Sequence, residues 1–222
     1  VTGGTSTGKT SLLNAMSAYI PPRSRVVVIE DSAELQLQQE HVLSMETKPP
    51  DRYGRGAVGI RELFRSSLRL RPDRIIIGEV RGGEALDMIQ AMTSGQGGSM
   101  GTLHANNPSD ALNRLETMAL MSKVELPLHA LRAQVASAID VIVQMNRFVG
   151  GKRMVSHITE VDPIGDDGRY KTRQIFGQQP VDGEDGEKTM QLTWTGERSS
   201  MAGRLKPEEL TLVTELTEPI FN

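Results

Sequence analysis

GGTSTGKT, running from Gly3 to Thr10, decides the fold. A glycine, four residues and then Gly-Lys-Thr is the spacing of a loop that wraps phosphate. The backbone N–H groups of Gly3, Gly4, Thr5, Ser6, Thr7 and Gly8 can surround phosphate oxygens, because glycine permits the tight path. Lys9 can reach the outer phosphates, and the Thr10 hydroxyl can bind Mg²⁺. The next residues, SLLNAMSAYI, read as a helix whose positive N-terminus faces those phosphates. The loop therefore predicts a nucleoside triphosphate, ATP, with Mg²⁺. Such a loop follows a strand, and only Val1 and Thr2 precede it, so the chain reads as a piece cut inside its first strand.

Working outward, apolar β-branched runs alternate with helical patterns as far as about Ile164. Arg25 to Asp31 (RVVVIED) and Arg74 to Val80 (RIIIGEV) are continuous apolar runs without polar alternation, as in parallel strands buried on both faces. Between them, IRELFRSSLRL sets Leu63, Phe64, Ser67 and Leu68 on one helical stripe and stops before Pro72. GGEALDMIQAM repeats the pattern with Leu86, Ile89 and Met92. NPSDALNRLETMALM starts with Asn107 as N-cap, Pro108 at the first helical position and Asp110 in the first turn. This order predicts a doubly wound α/β domain with a mostly parallel sheet. IDVIVQMNRF and KRMVSHITEV, flanking Gly150-Gly151, predict a hairpin. After Ile164 the chain turns polar, with an acidic turn (DGEDGE), two strand-like pieces (RYKTRQIF, KTMQLTW) and a short helix (LKPEELTLVTEL). The expected division is a nucleotide-binding domain over 1–164 and a small β-rich extension over 165–222.

Composition limits the alternatives. The 222 residues carry a net charge of −3, no cysteine and 4% aromatics. That balance gives no case for attraction to nucleic acid or membrane, and it excludes disulfides and Cys-held metals. No apolar run is long enough to cross a bilayer.

In open α/β sheets, ligands bind beyond the carboxyl ends of the strands. Three of the predicted strands end in reactive side chains: Glu30 and Asp31 after VVVI, Glu79 after IIIG, and His104 in SMGTLHAN. Brought beside the loop, one carboxylate would hold the metal and another would orient and deprotonate water. Taken singly, Glu79 is also readable as a solvated acid and His104 as a surface histidine. His41, His129 and His157 have no comparable placement. Arg61, Arg65, Arg69, Arg71, Arg74 and Arg81 crowd the middle of the chain. A solvated helix face accounts for some of them, and Arg81, just past Glu79, is the best placed to touch nucleotide or a neighbouring subunit.

These segments resemble the secretion ATPases of type II and type IV secretion and of type IV pili. GGTSTGKT, VIEDSAELQLQ, LRLRPDRIIIGEVRGGEALDMIQAM and GSMGTLHANNPSDALNRLE look like that family's Walker A, Asp box, Walker B and His box, over Val1 to about Val161. In detail they look most like the tight-adherence pilus ATPases of the CpaF type, with conjugative-transfer relatives next. The resemblance implies a RecA-like fold, Mg²⁺-ATP hydrolysis and a homo-hexameric ring. It places that ring at the cytoplasmic face of a bacterial inner membrane, attached through a membrane platform protein, with no direct nucleic-acid binding. It implies Glu30 as catalytic base, Glu79 at the Mg²⁺ site with Thr10, and His104 as γ-phosphate sensor or inter-subunit link. The division of labour between the two acids is left open by the residues themselves. Such ATPases also carry an N-terminal domain that closes over the nucleotide, so weak binding and slow hydrolysis are expected of this piece alone. The competing readings are a RecA-like DNA motor, which would need a basic, aromatic-lined channel, and a nucleotide-gated ring without turnover, which would need fewer acids.

Overall fold

A computed structural model of the chain describes residues 1–182, 188–204 and 218–221. The strands form a six-stranded sheet that contains the entry to the phosphate loop and a four-stranded sheet beside it. β1 (Thr2–Gly3) leads into that loop and α1 (Lys9–Ser17) leaves it. β2 (Val26–Glu30), β3 (Val42–Glu46) and β4 (Arg74–Ile77) pair in parallel in the order β3-β2-β4. The segment 100–104 passes from one sheet to the other. Its first part, β5 (Met100–Gly101), pairs with β4, and its second, β6 (Leu103–His104), pairs with β1. Thr102 lies between them and bonds back to the β4 side, donating its N–H to Ile77 and accepting from Val80. β1 pairs on its other side with β7 (Val141–Arg147), also in parallel.

β8 (Arg153–Asp162), β9 (Lys171–Asp182) and β10 (Lys188–Trp194) then add antiparallel strands beyond β7. The β7–β8 hairpin turns at Gly150 and Gly151, both at φ near +80°, where a side chain would be strained. The two strand-like pieces after Ile164 thus continue the same sheet. The expected acidic turn, apart from Asp182, and the expected helix over 205–216 lie outside the described residues.

Why the strands read as unbroken apolar runs is visible in their packing. On β2, Val26 and Val28 face Leu13 of α1, while Val27 and Ile29 face the larger core on the opposite side. β4 divides likewise, with Ile76 toward α1 and Ile75 and Ile77 away from it. The larger core is covered by α2 (Ile60–Ser67), α3 (Glu84–Thr93), α4 (Pro108–Leu120) and α5 (Leu128–Ala138). α4 starts as the sequence predicts: Asn107 Oδ1 accepts from the Asp110 N–H at 2.8 Å. Phe64 and Ser67 of α2 are buried, but Leu68 is exposed, because the helix tightens into a 3₁₀ turn at Leu68–Leu70 and turns that side chain off the stripe. Of the crowded arginines, Arg61 and Arg65 both pair with Asp87, Arg74 bonds the Gly98 carbonyl, and Arg69 and Arg71 are exposed.

Candidate active site

The loop takes its shape from two left-handed residues. Gly8 has φ 93° at the N-cap of α1, and Ser6 has φ 57°. At Gly3 a Cβ would sit 2.5 Å from the Met145 carbonyl oxygen and 2.6 Å from Thr7 Oγ1, so β1 lies hard against β7 where the loop begins. Thr7 Oγ1 donates to the Gly4 carbonyl at 2.9 Å and tightens the turn. Thr5 and Ser6 form the exposed rim.

Lys9 is buried and folds back over the loop. Its ammonium donates to the carbonyls of Gly3 (3.2 Å) and Gly4 (3.0 Å) and lies 3.5 Å from His104 Nε2. Burial pushes its pKa below the ordinary lysine value. Glu79 opposes that shift, and Arg81 adds to it. The ammonium is therefore short of countercharge, a deficit that phosphate oxygens would fill.

His104 and Glu79 meet beside Lys9. His104 Nε2 is 2.7 Å from Glu79 Oε1, yet the geometry gives that buried oxygen no hydrogen bond. Nε2 thus faces a donor, Lys9, and an acceptor, Glu79, and can serve one of them at a time. Burial and then the Lys9 charge lower the His104 pKa, so the imidazole is neutral at neutral pH. The other Glu79 oxygen, Oε2, accepts from both Nε and a terminal nitrogen of Arg81, which also pairs with Asp31 at 3.1 Å. Glu84, at the start of α3, fixes this corner: its Oε1 accepts from the N–H groups of Arg81 and Gly82, each at 2.8 Å.

Glu30 is placed differently. It is buried at the end of β2, and its Oε1 accepts from the N–H groups of Glu34 (3.2 Å) and Leu35 (3.1 Å). Among the described residues it makes no hydrogen bond or ion pair with Lys9, Glu79 or His104. Its contact with the site runs through Gly78, where a Cβ would stand 2.9 Å from Glu30 Cγ. The strand exits therefore bring Lys9, His104, Glu79, Arg81 and Asp31 into one chain of contacts, with Glu30 in the adjoining layer.

The donor set suits Mg²⁺. One carboxylate oxygen, Glu79 Oε1, is buried without a hydrogen bond, and the Thr10 hydroxyl sits in the first turn of α1. Among the described residues no cluster of three or more His, Asp and Glu could hold a metal unaided. Two clefts adjoin this region: one of about 420 Å³ between the starts of β5 and β7, another of about 500 Å³ beside Asp31 and Lys48. Sequence reasoning missed Glu84 and Gln144. An acid in the first turn after Arg81 and an amide inside an apolar strand were the available signals.

A phosphate loop with strand-end acids and a histidine on this sheet defines a nucleotide-binding α/β domain. The model of the type II/IV secretion system protein family matches residues 1–204, and the chain belongs to that family. A putative conjugal transfer protein of Mycobacterium tuberculosis is 39% identical over 158 residues, which cover 71% of this chain and 44% of that protein. The type IV secretion system protein PtlH of Bordetella pertussis is 44% identical over 155 residues, covering 68% and 45%. The VirB11 ATPase of the Brucella suis type IV secretion system, solved with sulphate, superposes with a TM-score of 0.64 at 33% identity, covering 71% and 46%. The chain spans less than half the length of these relatives. Their descriptions name type IV secretion and conjugal transfer, the reading the sequence placed second to a tight-adherence pilus branch.

Proposed function

We propose that this chain is the ATP-hydrolysing motor domain of a type IV secretion or conjugal-transfer machine. The observation that carries the reading is the meeting of three strand exits at the phosphate loop, with Lys9 beside His104 and His104 beside Glu79. The descriptions of the relatives favour this over a pilus motor. The motor occupies 1–164, and beyond it β9 and β10 extend its sheet.

In this reading the Lys9 ammonium leaves the Gly3 and Gly4 carbonyls for the outer phosphates, and the loop N–H groups hold the rest. Glu30, its Oε1 already fixed by two N–H groups, orients a water. As the water oxygen bonds to the γ-phosphorus, the bond to the β,γ-bridging oxygen breaks and Glu30 takes the water's proton. Glu79 and Thr10 would hold Mg²⁺, which would supply positive charge against that of the phosphates. His104, neutral and next to Lys9, is positioned to donate to a γ-phosphate oxygen and to register its loss. Arg81 balances the charges of Glu79 and Asp31. The working assembly is a homo-hexamer at the cytoplasmic face of a bacterial inner membrane, attached through a platform protein. Among the described residues no helix is long and apolar enough to cross a membrane.

Complementation tests the assignment. In a strain deleted for the gene, the full-length protein should restore secretion or conjugal transfer, and its Lys9→Ala variant should not. Restoration by Lys9→Ala, or a defect confined to pilus display, would reject it. Turnover stimulated by DNA, with no response to platform protein, would favour a DNA motor.

A further inference from the structure

We infer that Gln144 is a positioning residue that sets His104 against the phosphate loop. The inference rests on the site reading above. Gln144 lies in mid-β7 at 0% exposure, among the largest fully buried side chains of the described residues. A buried primary amide is costly unless its donors and acceptor are all used, and here they are. Its Oε1 accepts from the Thr2 hydroxyl, one residue before the loop. Its Nε2 donates to the Ala105 carbonyl, one residue after His104, at 3.1 Å, and to Asn146 Oδ1 at 3.3 Å.

The register makes this a bridge across three strands. Gln144, Thr2 and Leu103 occupy one row, and Met145, Gly3 and His104 occupy the next. One side chain therefore ties the entry to the phosphate loop to the exit of the histidine strand, a row below the atoms that meet at the site. β6 pairs with β1 at only two positions, so its end depends on side-chain ties such as this one. The β7 register against β8 shifts between Gln144 and Met145. The Met145 carbonyl then packs on Gly3, and the Gln144 carbonyl accepts from Ser156 Oγ at 3.2 Å. An apolar residue of the same shape would fill the space. It would also leave the Thr2 hydroxyl and the Ala105 carbonyl unpaired, and these would relax by moving His104 away from Lys9 and Glu79.

The test uses the full-length protein with Gln144→Met, Thr2→Val and His104→Ala. Gln144→Met should lower ATP turnover about 10- to 100-fold, as expected when a reacting group's support is removed. ADP affinity should stay within about twofold, because the loop itself is kept. On the His104→Ala background Gln144→Met should cause no further loss. The His104 imidazole nitrogen resonances, assigned with the His104→Ala variant, should shift in Gln144→Met and shift less, in the same direction, in Thr2→Val. Losses that multiply with His104→Ala, or unmoved imidazole resonances in a folded variant, would overturn the inference. Should the protein hydrolyse no ATP, the resonances still decide the positioning role, so the two failures are distinct.

Discussion

Adding one methyl group at Gly78 tests whether the β4 exit holds Glu30 in place. In Gly78→Ala the new Cβ would stand 2.9 Å from Glu30 Cγ and 3.4 Å from Glu30 Cβ and Oε1. Glu30 is buried, and two backbone N–H groups hold its Oε1, so the side chain retreats only by stretching those bonds. Overpacking of this kind costs about 1–3 kcal/mol. The effect on turnover should be larger than the effect on stability, since a 1 Å displacement of a reacting group costs about 100-fold. The assay is a double-mutant cycle on urea unfolding and on turnover, with Glu30→Ala as the second change. Once Glu30 is truncated, the methyl group has room, so Gly78→Ala should cost about 1 kcal/mol less in that background. Equal destabilisation in both backgrounds, or wild-type turnover in Gly78→Ala, would refute the contact as the link between β4 and Glu30.

Three further outcomes follow from the same geometry. Glu79→Gln should retain ADP binding and shift the Mg²⁺ dependence of turnover to higher concentration, read by Mg²⁺ titration; an unchanged midpoint would remove Glu79 from the metal site. His104 and His157 both have pKa values pushed below the ordinary 6.5, mainly by burial. The unfolded chain therefore binds their protons first as pH falls, and stability should drop from about pH 6.5 toward the folded values. His104→Gln should flatten part of that slope, leaving the His157 share, in urea midpoints measured from pH 7.5 to 5. Glu160 is buried and accepts from the Ser200 N–H at 2.8 Å and Ser200 Oγ at 2.7 Å. Glu160→Ala should cost about 2–3 kcal/mol of stability with ADP affinity unchanged in calorimetry.

The parts of the fold legible in the sequence were those where one local signal suffices. The glycine spacing marks the loop, β-branched runs mark β2 and β4, and Asn107-Pro108 marks the start of α4. β3 was missed because Val42–Glu46 is an edge strand, half exposed and carrying Ser44 and Glu46, so it shows no apolar run. α5 was missed because Pro127 precedes it without a side-chain cap. At the site, the acids and His104 were visible as strand ends. Their partners were not. The Arg81 bridge between Glu79 and Asp31 and the Gln144 tie from Thr2 to Ala105 join residues distant in sequence, and only strand order brings them together. Strand order also explains Glu30: it shares the strand-exit end with Glu79 but is turned toward the Glu34–Leu35 backbone.

The most direct test of the central claim is steady-state phosphate release from Mg²⁺-ATP by the full-length protein, alongside ADP binding. The account predicts release by wild type, loss of both binding and release in Lys9→Ala, and binding without release in Glu30→Gln. Phosphate release that persists in Lys9→Ala, or a Glu30→Gln variant that turns over like wild type, would contradict it.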